Sequence, residues 1–178
     1  FFADRINTGL SRDARQMLGG DAIVASDQPA PPAFAAKAAE LGLSSALTTT
    51  FPSMGRAGEE HGGATRLVTA KAVADGYPLR GRLRLADAPG GPEAETASAP
   101  ERGTVWVDAA LLSSLNLKVG DALLLGDASL RIAKVIVIEP DRGAGFLGFA
   151  PRVMLHQADL PATGLIQPAS RVTYRLAV

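Results

Sequence analysis

A chain of 178 residues, 47% hydrophobic and 20% charged, has enough apolar material for one good core or two small lobes and the composition of an ordinary folded domain. Its 18 Lys and Arg balance 18 Asp and Glu, ten against nine up to Pro89 and eight against nine after it, so no large positive field exists to gather nucleic acid. Cysteine is absent, which removes disulfides, thiolate metal sites and cysteine nucleophiles together.

The first predicted element is an amphipathic helix, because Phe2, Ile6, Leu10, Met17 and Leu18 fall on one side of a 3.6-residue repeat and Gly19-Gly20 stops it. Residues 22–25 read as a short buried strand. A second helix opens at Pro29 to Pro32, carries Phe34, Ala38 and Leu41 on one face, and has Gly42 where a C-terminal cap belongs. Residues 43–54 and 65–73 are expected as strands flanking a glycine loop, which makes the first part strand, helix, strand, strand. Residues 86–103 hold three Pro and three Gly without periodicity and read as a mobile loop. A strand at 104–107 follows, then a helix with Asp108 as N-cap running to Leu115, a turn at Gly120-Asp121, a strand at 122–125, a tight Gly126-Asp127 hairpin, a mostly buried strand at 129–138 and a half-buried strand at 171–178. Trp106, Leu111, Leu115, Leu117, Leu123 and Ile132 are the expected core of the second part.

No residue set converges on catalysis. Gly143 to Gly148 matches G-x-G-x-x-G after a strand, but Phe149-Ala150-Pro151 follows where a dinucleotide site needs a helix, and no Gly-Lys pair exists for a phosphate loop. His61 and His156 have no helical metal-site partner and read as solvent-facing. Glu139 and Asp141 flank Pro140 as turn carboxylates; Ser113 and Ser114 lack a base. Arg80, Arg82 and Arg84 alternate with Gly81, Leu83 and Leu85, which places three guanidinium groups on one face of one strand. That face is either paired with nearby carboxylates or a contact surface for a partner protein or lipid headgroups.

Several segments together resemble the periplasmic domain of MacB/FtsX-type ABC transporter permeases, most closely the YbbP-like branch. They are Asp4-Arg5-Ile6 through Gly9-Leu10-Ser11 to Ala14-Arg15 and Gly20-Asp21; Ala72-Val73 with Tyr77-Pro78-Leu79-Arg80-Gly81; Val105-Trp106-Val107 leading to Leu115-Asn116-Leu117-Lys118-Val119-Gly120-Asp121; Glu139-Pro140-Asp141; Ala150-Pro151-Arg152; Ala158-Asp159-Leu160; and Gln167-Pro168-Ala169-Ser170-Arg171-Val172. The resemblance implies an α+β fold of two lobes preceded by a stalk helix: stalk 1–19, a porter-like βαβ lobe from 20–77 and 163–178, which relatives continue beyond the strand matching Arg171 to Leu176, and an inserted β-rich lobe at 78–162. It implies a non-catalytic part of an inner-membrane permease, standing in the periplasm and coupling motion driven by a separate ATPase to export or envelope processes. Its partners would be that ATPase, the permease's membrane helices and a periplasmic protein or lipid. No cofactor is expected in the chain itself, ATP being used by the other subunit. Phe2, Ile6, Leu10 and Met17 would be stalk contacts, and Gly19-Gly20 either a hinge or merely the helix end.

A second reading takes the chain as a self-contained β-barrel module for protein interaction or ligand binding, because Leu117-Lys118-Val119-Gly120-Asp121 before a strand also suits small barrels such as double-psi folds. The chain begins Phe1-Phe2 without Met, closes on a strand-like Tyr174 to Val178, and contains no run of the ~18 apolar residues a membrane helix needs, so any anchor is expected outside it.

Overall fold

The computed structural model describes the backbone of residues 2–143 and 146–178, with side chains from residue 5 to 143 and from 148 onward. Helix α1 (Phe2–Leu18) forms where the repeat places it. It ends at Gly19, whose φ of 75° suits a residue without Cβ and whose N–H donates to the Arg15 and Gln16 carbonyls. Strand β1 (Ile23–Ser26) follows, then α2 (Pro32–Glu40) with Pro31 at its N-cap position. Strands β2 (Ala46–Ala57) and β3 (Thr65–Val73) are joined by a 3-10 turn at Glu59–His61. Next come β4 (Leu83–Ala86), β5 (Glu93–Thr96), β6 (Thr104–Asp108) and α3 (Ala109–Leu115). The hairpin β7 (Ala122–Leu125) and β8 (Ala128–Ile138), the short helical turn α4 (Phe146–Phe149), β9 (Arg152–His156), α5 (Leu160–Thr163) and β10 (Thr173–Ala177) complete the order.

The strands join in one sheet, β1-β10-β2-β3-β9-β6-β8-β4-β5, and β7 bridges β2 and β8. That bridge closes a ring of β2, β3, β9, β6, β8 and β7. Side chains of one alternation, including Val68, Ala70, Val105, Val107, Ile132, Val153 and Leu155, form the larger core with Leu111, Leu115 and Leu117 beside them. The other alternation builds a second cluster of Val73, Tyr77, Leu83, Leu85, Trp106, Ile136 and Met154. Trp106 is therefore buried as expected but in the second cluster, because its neighbours Val105 and Val107 take the first face.

The sheet runs through the expected lobe boundary at residue 78. β2 is long enough to pair with β10 through Ala46 to Thr50 and with β7 through Gly55 to Ala57, so one strand serves both halves. Four expectations change. β1 is an exposed edge strand, held by backbone bonds to β10 alone. Of α2's apolar face only Ala38 is buried, with Phe34 and Leu41 exposed. The 86–103 segment is a hairpin arm, its β5 paired residue for residue with β4, where a mobile loop was expected. β8 is buried at Leu130, Ile132, Val135 and Ile136 but emerges at Val137 and Ile138.

Candidate functional site

The end of α1 meets the sheet at a joint built largely from the motifs on which the family resemblance rests. Ile6, Leu10 and Met17 lie on the outer side of the helix, 50%, 63% and 70% exposed. The Phe2 side chain lies outside the described residues. On the opposite side, Asn7, Thr8, Ser11, Arg12, Arg15 and Gln16 line a groove of about 580 Å³ together with Arg80. After the helix the Gly19 carbonyl accepts the Arg80 N–H, and the Asp21 and Ala22 N–H groups donate to the Val178 carbonyl at 2.7 and 3.0 Å. A Cβ at Gly19 would stand 3.1 Å from Asp141 Oδ2, and one at Gly81 would stand 3.0 Å from Pro140 Cγ and 3.6 Å from the Gln16 carbonyl oxygen. The last helical turn, the Gly81 turn and the Pro140-Asp141 corner thus touch where only glycine leaves room.

Beneath that contact lies a buried ionic cluster. Lys71 reaches it because β3 points Thr69, Lys71 and Val73 away from the larger core. Its ammonium donates to Glu139 Oε1 at 2.8 Å, Asp141 Oδ2 at 2.9 Å and the Tyr77 hydroxyl oxygen at 2.9 Å. The Tyr77 hydroxyl donates to Asp141 Oδ1 at 2.5 Å, and Arg152 Nε donates to Glu139 Oε2 at 2.9 Å. The side chains of Lys71, Glu139, Asp141 and Arg152 are 3%, 0%, 6% and 3% exposed. Two cations face two anions, so the cluster is neutral. Around it Arg142 makes a two-pronged pair with Asp108 at 3.0 and 2.6 Å, and Asp108 also accepts the Arg152 N–H at 2.8 Å. Asp108 therefore stands at the N-cap position of α3 with its carboxylate turned to arginine, where a helix cap was expected.

Burial and neighbouring charges shift two members of the cluster, Glu139 and Tyr77. Burial alone would push the Glu139 carboxyl up, but the charges of Lys71 and Arg152 and their hydrogen bonds hold it below the ordinary range. The Tyr77 hydroxyl is pushed well above 10.0, first by burial and then by the charges of Asp141 and Glu139. All three ammonium donors and all four carboxylate oxygens are engaged within the cluster, which leaves none of them for a substrate. Such a network fixes the geometry of the strands and turns that carry it.

Glu139 and Asp141, expected as turn acids, are thus interior anchors. Sequence reasoning missed Lys71, Tyr77 and Arg152 as a set. The available signal was a single charge in each apolar run, Lys71 within Leu67 to Val73 and Arg152 before Val153-Met154-Leu155. The three arginines do not share a strand face: only Arg84 lies in β4, where it pairs with Glu93. Arg80 precedes the strand and grips Asp21 through Nε and Nη2 at 3.1 and 2.6 Å, lowering that carboxyl; Arg82 is exposed. His156 is turned to Asp75 at 3.2 Å and His61 lies 3.9 Å from Asp121, so neither simply faces solvent. Among the described residues no group of three His, Cys, Asp or Glu is placed to hold a metal. Of the glycine motif, Ala144 and Gly145 lie outside the described residues; α4 falls within it and β9 begins at Arg152.

No protein-family model matches the chain. Over 173 residues it is 38% identical to the uncharacterized ABC transporter permease YbbP of Escherichia coli (strain K12), an alignment covering 97% of this chain and 20% of that protein. The chain thus spans about a fifth of that relative's length. Among solved structures it is similar to the periplasmic region of MacB from Actinobacillus actinomycetemcomitans, with a TM-score of 0.50 at 10% identity, covering 95% of this chain and 79% of that one. This second likeness is one of fold. Among the described residues no helix is long and apolar enough to cross a membrane.

Proposed function

This chain belongs to the YbbP-like branch of the ABC transporter permeases, of which it spans one segment, and from that premise we propose that it is a periplasmic domain whose first helix passes motion between the membrane and the sheet. In this reading α1 is the stalk, 20–77 with 163–178 and 78–162 are the two working lobes, and ATP is hydrolysed by a separate subunit. The permease as a whole would serve export or an envelope process. The supporting observation is the joint: a Cβ at Gly19 would stand 3.1 Å from an Asp141 carboxylate that is itself held by Lys71 and Tyr77. A helix seated on a rigid ionic corner delivers its displacement to β3, β8 and β9 together, since Lys71 and Arg152 stand on β3 and β9 and the acids follow β8. The close fit supports Gly19 as a seat that ends the helix, in preference to a free hinge.

The outward stripe of Ile6, Leu10 and Met17 would then meet a neighbouring stalk or another subunit. Replacing Ile6 and Leu10 with Asp in the intact permease should uncouple transport from ATP hydrolysis, while the 178-residue chain with the same changes keeps its fold. Transport at the wild-type rate and equal expression would refute the stalk reading.

A further inference from the structure

Helix α1 carries polar residues on the side where Arg80 stands and apolar residues on the opposite side, both exposed. Among the described residues the groove is lined by three arginines, two hydroxyls and two amides, with no carboxylate. Asp21 engages Arg80 and lies 3.7 Å from Arg15, so among the described groups one carboxylate faces three guanidinium groups. Asn7, Ser11 and Arg15 stand in one row four residues apart along the helix, with Arg12 beside them. Desolvating two guanidinium groups on a shared wall, with polar donors between them, favours an anion with several oxygens over a single carbonyl. The volume, about 580 Å³, exceeds what one carboxylate fills.

We propose that the groove between α1 and Arg80 binds a phosphate group, held by Arg12 and Arg15 with Asn7 and Ser11 as neutral partners. The phosphate belongs either to a soluble phosphate ester or to a lipid headgroup. The inference stands on the groove alone and does not rest on the transport reading.

The test titrates the 178-residue chain at low salt with glycerol phosphate by calorimetry, and separately measures its co-sedimentation with vesicles of phosphatidylglycerol against phosphatidylcholine. Saturable binding of glycerol phosphate assigns a soluble ester; binding confined to phosphatidylglycerol vesicles assigns the headgroup. In either arm Arg12→Glu should weaken binding about tenfold or more, and Arg12→Gln should weaken it as well, with the helical circular dichroism of both unchanged. Arg82→Glu, an exposed charge outside the groove, should leave it unaltered. No binding in either arm, or equal losses for the Arg12 and Arg82 variants, would overturn the proposal.

Discussion

Lys71→Ala should lower the stability of the chain by about 3–5 kcal/mol, measured by urea unfolding at neutral pH. The ammonium is the hub that joins Glu139, Asp141 and Tyr77, and its removal leaves two interior carboxylates balanced by Arg152 and, more distantly, by Arg142 at 3.9 Å from Glu139. The loss comes from uncompensated charge, not from missing bulk. Replacing Lys71 with Met together with Glu139→Gln and Asp141→Asn should therefore cost less than the single change. If Lys71→Ala loses under about 1 kcal/mol, the cluster is not the anchor described above.

The same cluster contributes at both ends of the pH range. Glu139 in the folded chain has a carboxyl value below the ordinary 4.5, so on acidification the unfolded chain takes up its proton first. Its contribution is complete above 4.5 and is lost as the pH falls through the lower folded value. Tyr77 works at the other end: its folded value lies above 10.0, so the unfolded chain ionises first, and that contribution is complete below 10.0 and lost as the pH rises beyond it. Stability profiles of Glu139→Gln and Tyr77→Phe should be flatter than wild type at the acid and alkaline ends respectively. Parallel profiles would assign the titrations elsewhere.

Leu115→Ala should cost about 2–5 kcal/mol. Leu115 is fully buried on α3 beside Leu111 and Leu112, and its side chain fills the larger core against the ring of strands. A loss under about 0.5 kcal/mol would mean that α3 does not pack as described.

That residue also shows what could be read in advance. Leu111 and Leu115 repeat at helical spacing, Gly126-Asp127 names its own hairpin, and Gly19 marks a helix end, so these elements follow from local rules. β5 could not be read this way. Glu93-Ala94-Glu95-Thr96 buries almost nothing and is a strand only because the backbone of β4 pairs with it. The ring was equally hidden, since its closing contact, β7 on β2, joins segments some seventy residues apart. Its local precursor, the Leu117 to Asp121 turn, did suggest a small barrel; the barrel-like closure is present, within a permease segment. The joint was legible only as pieces. Lys71 finds Glu139 and Asp141 across 68 and 70 positions, and charge patterning within one strand cannot show which distant turn will receive it.

The pairing of β1 with β10 decides which loads the domain can carry. Ile23 lies opposite Ala177 and Ser26 opposite Tyr174, with the Val178 carbonyl bonded just before the first pair, so residue 20 and residue 178 enter the ladder at the same end. A pull that separates those two points opens the hydrogen bonds one after another, as a zip does, instead of loading them all in shear. The ladder is four residue pairs long and one of its strands is a sheet edge, so it yields at low force. On the stalk reading proposed above, a push or a twist along α1 would also reach Asp141, which leaves little room for a Cβ at Gly19. On that same reading, a domain built this way would transmit thrust and torque and let go under tension.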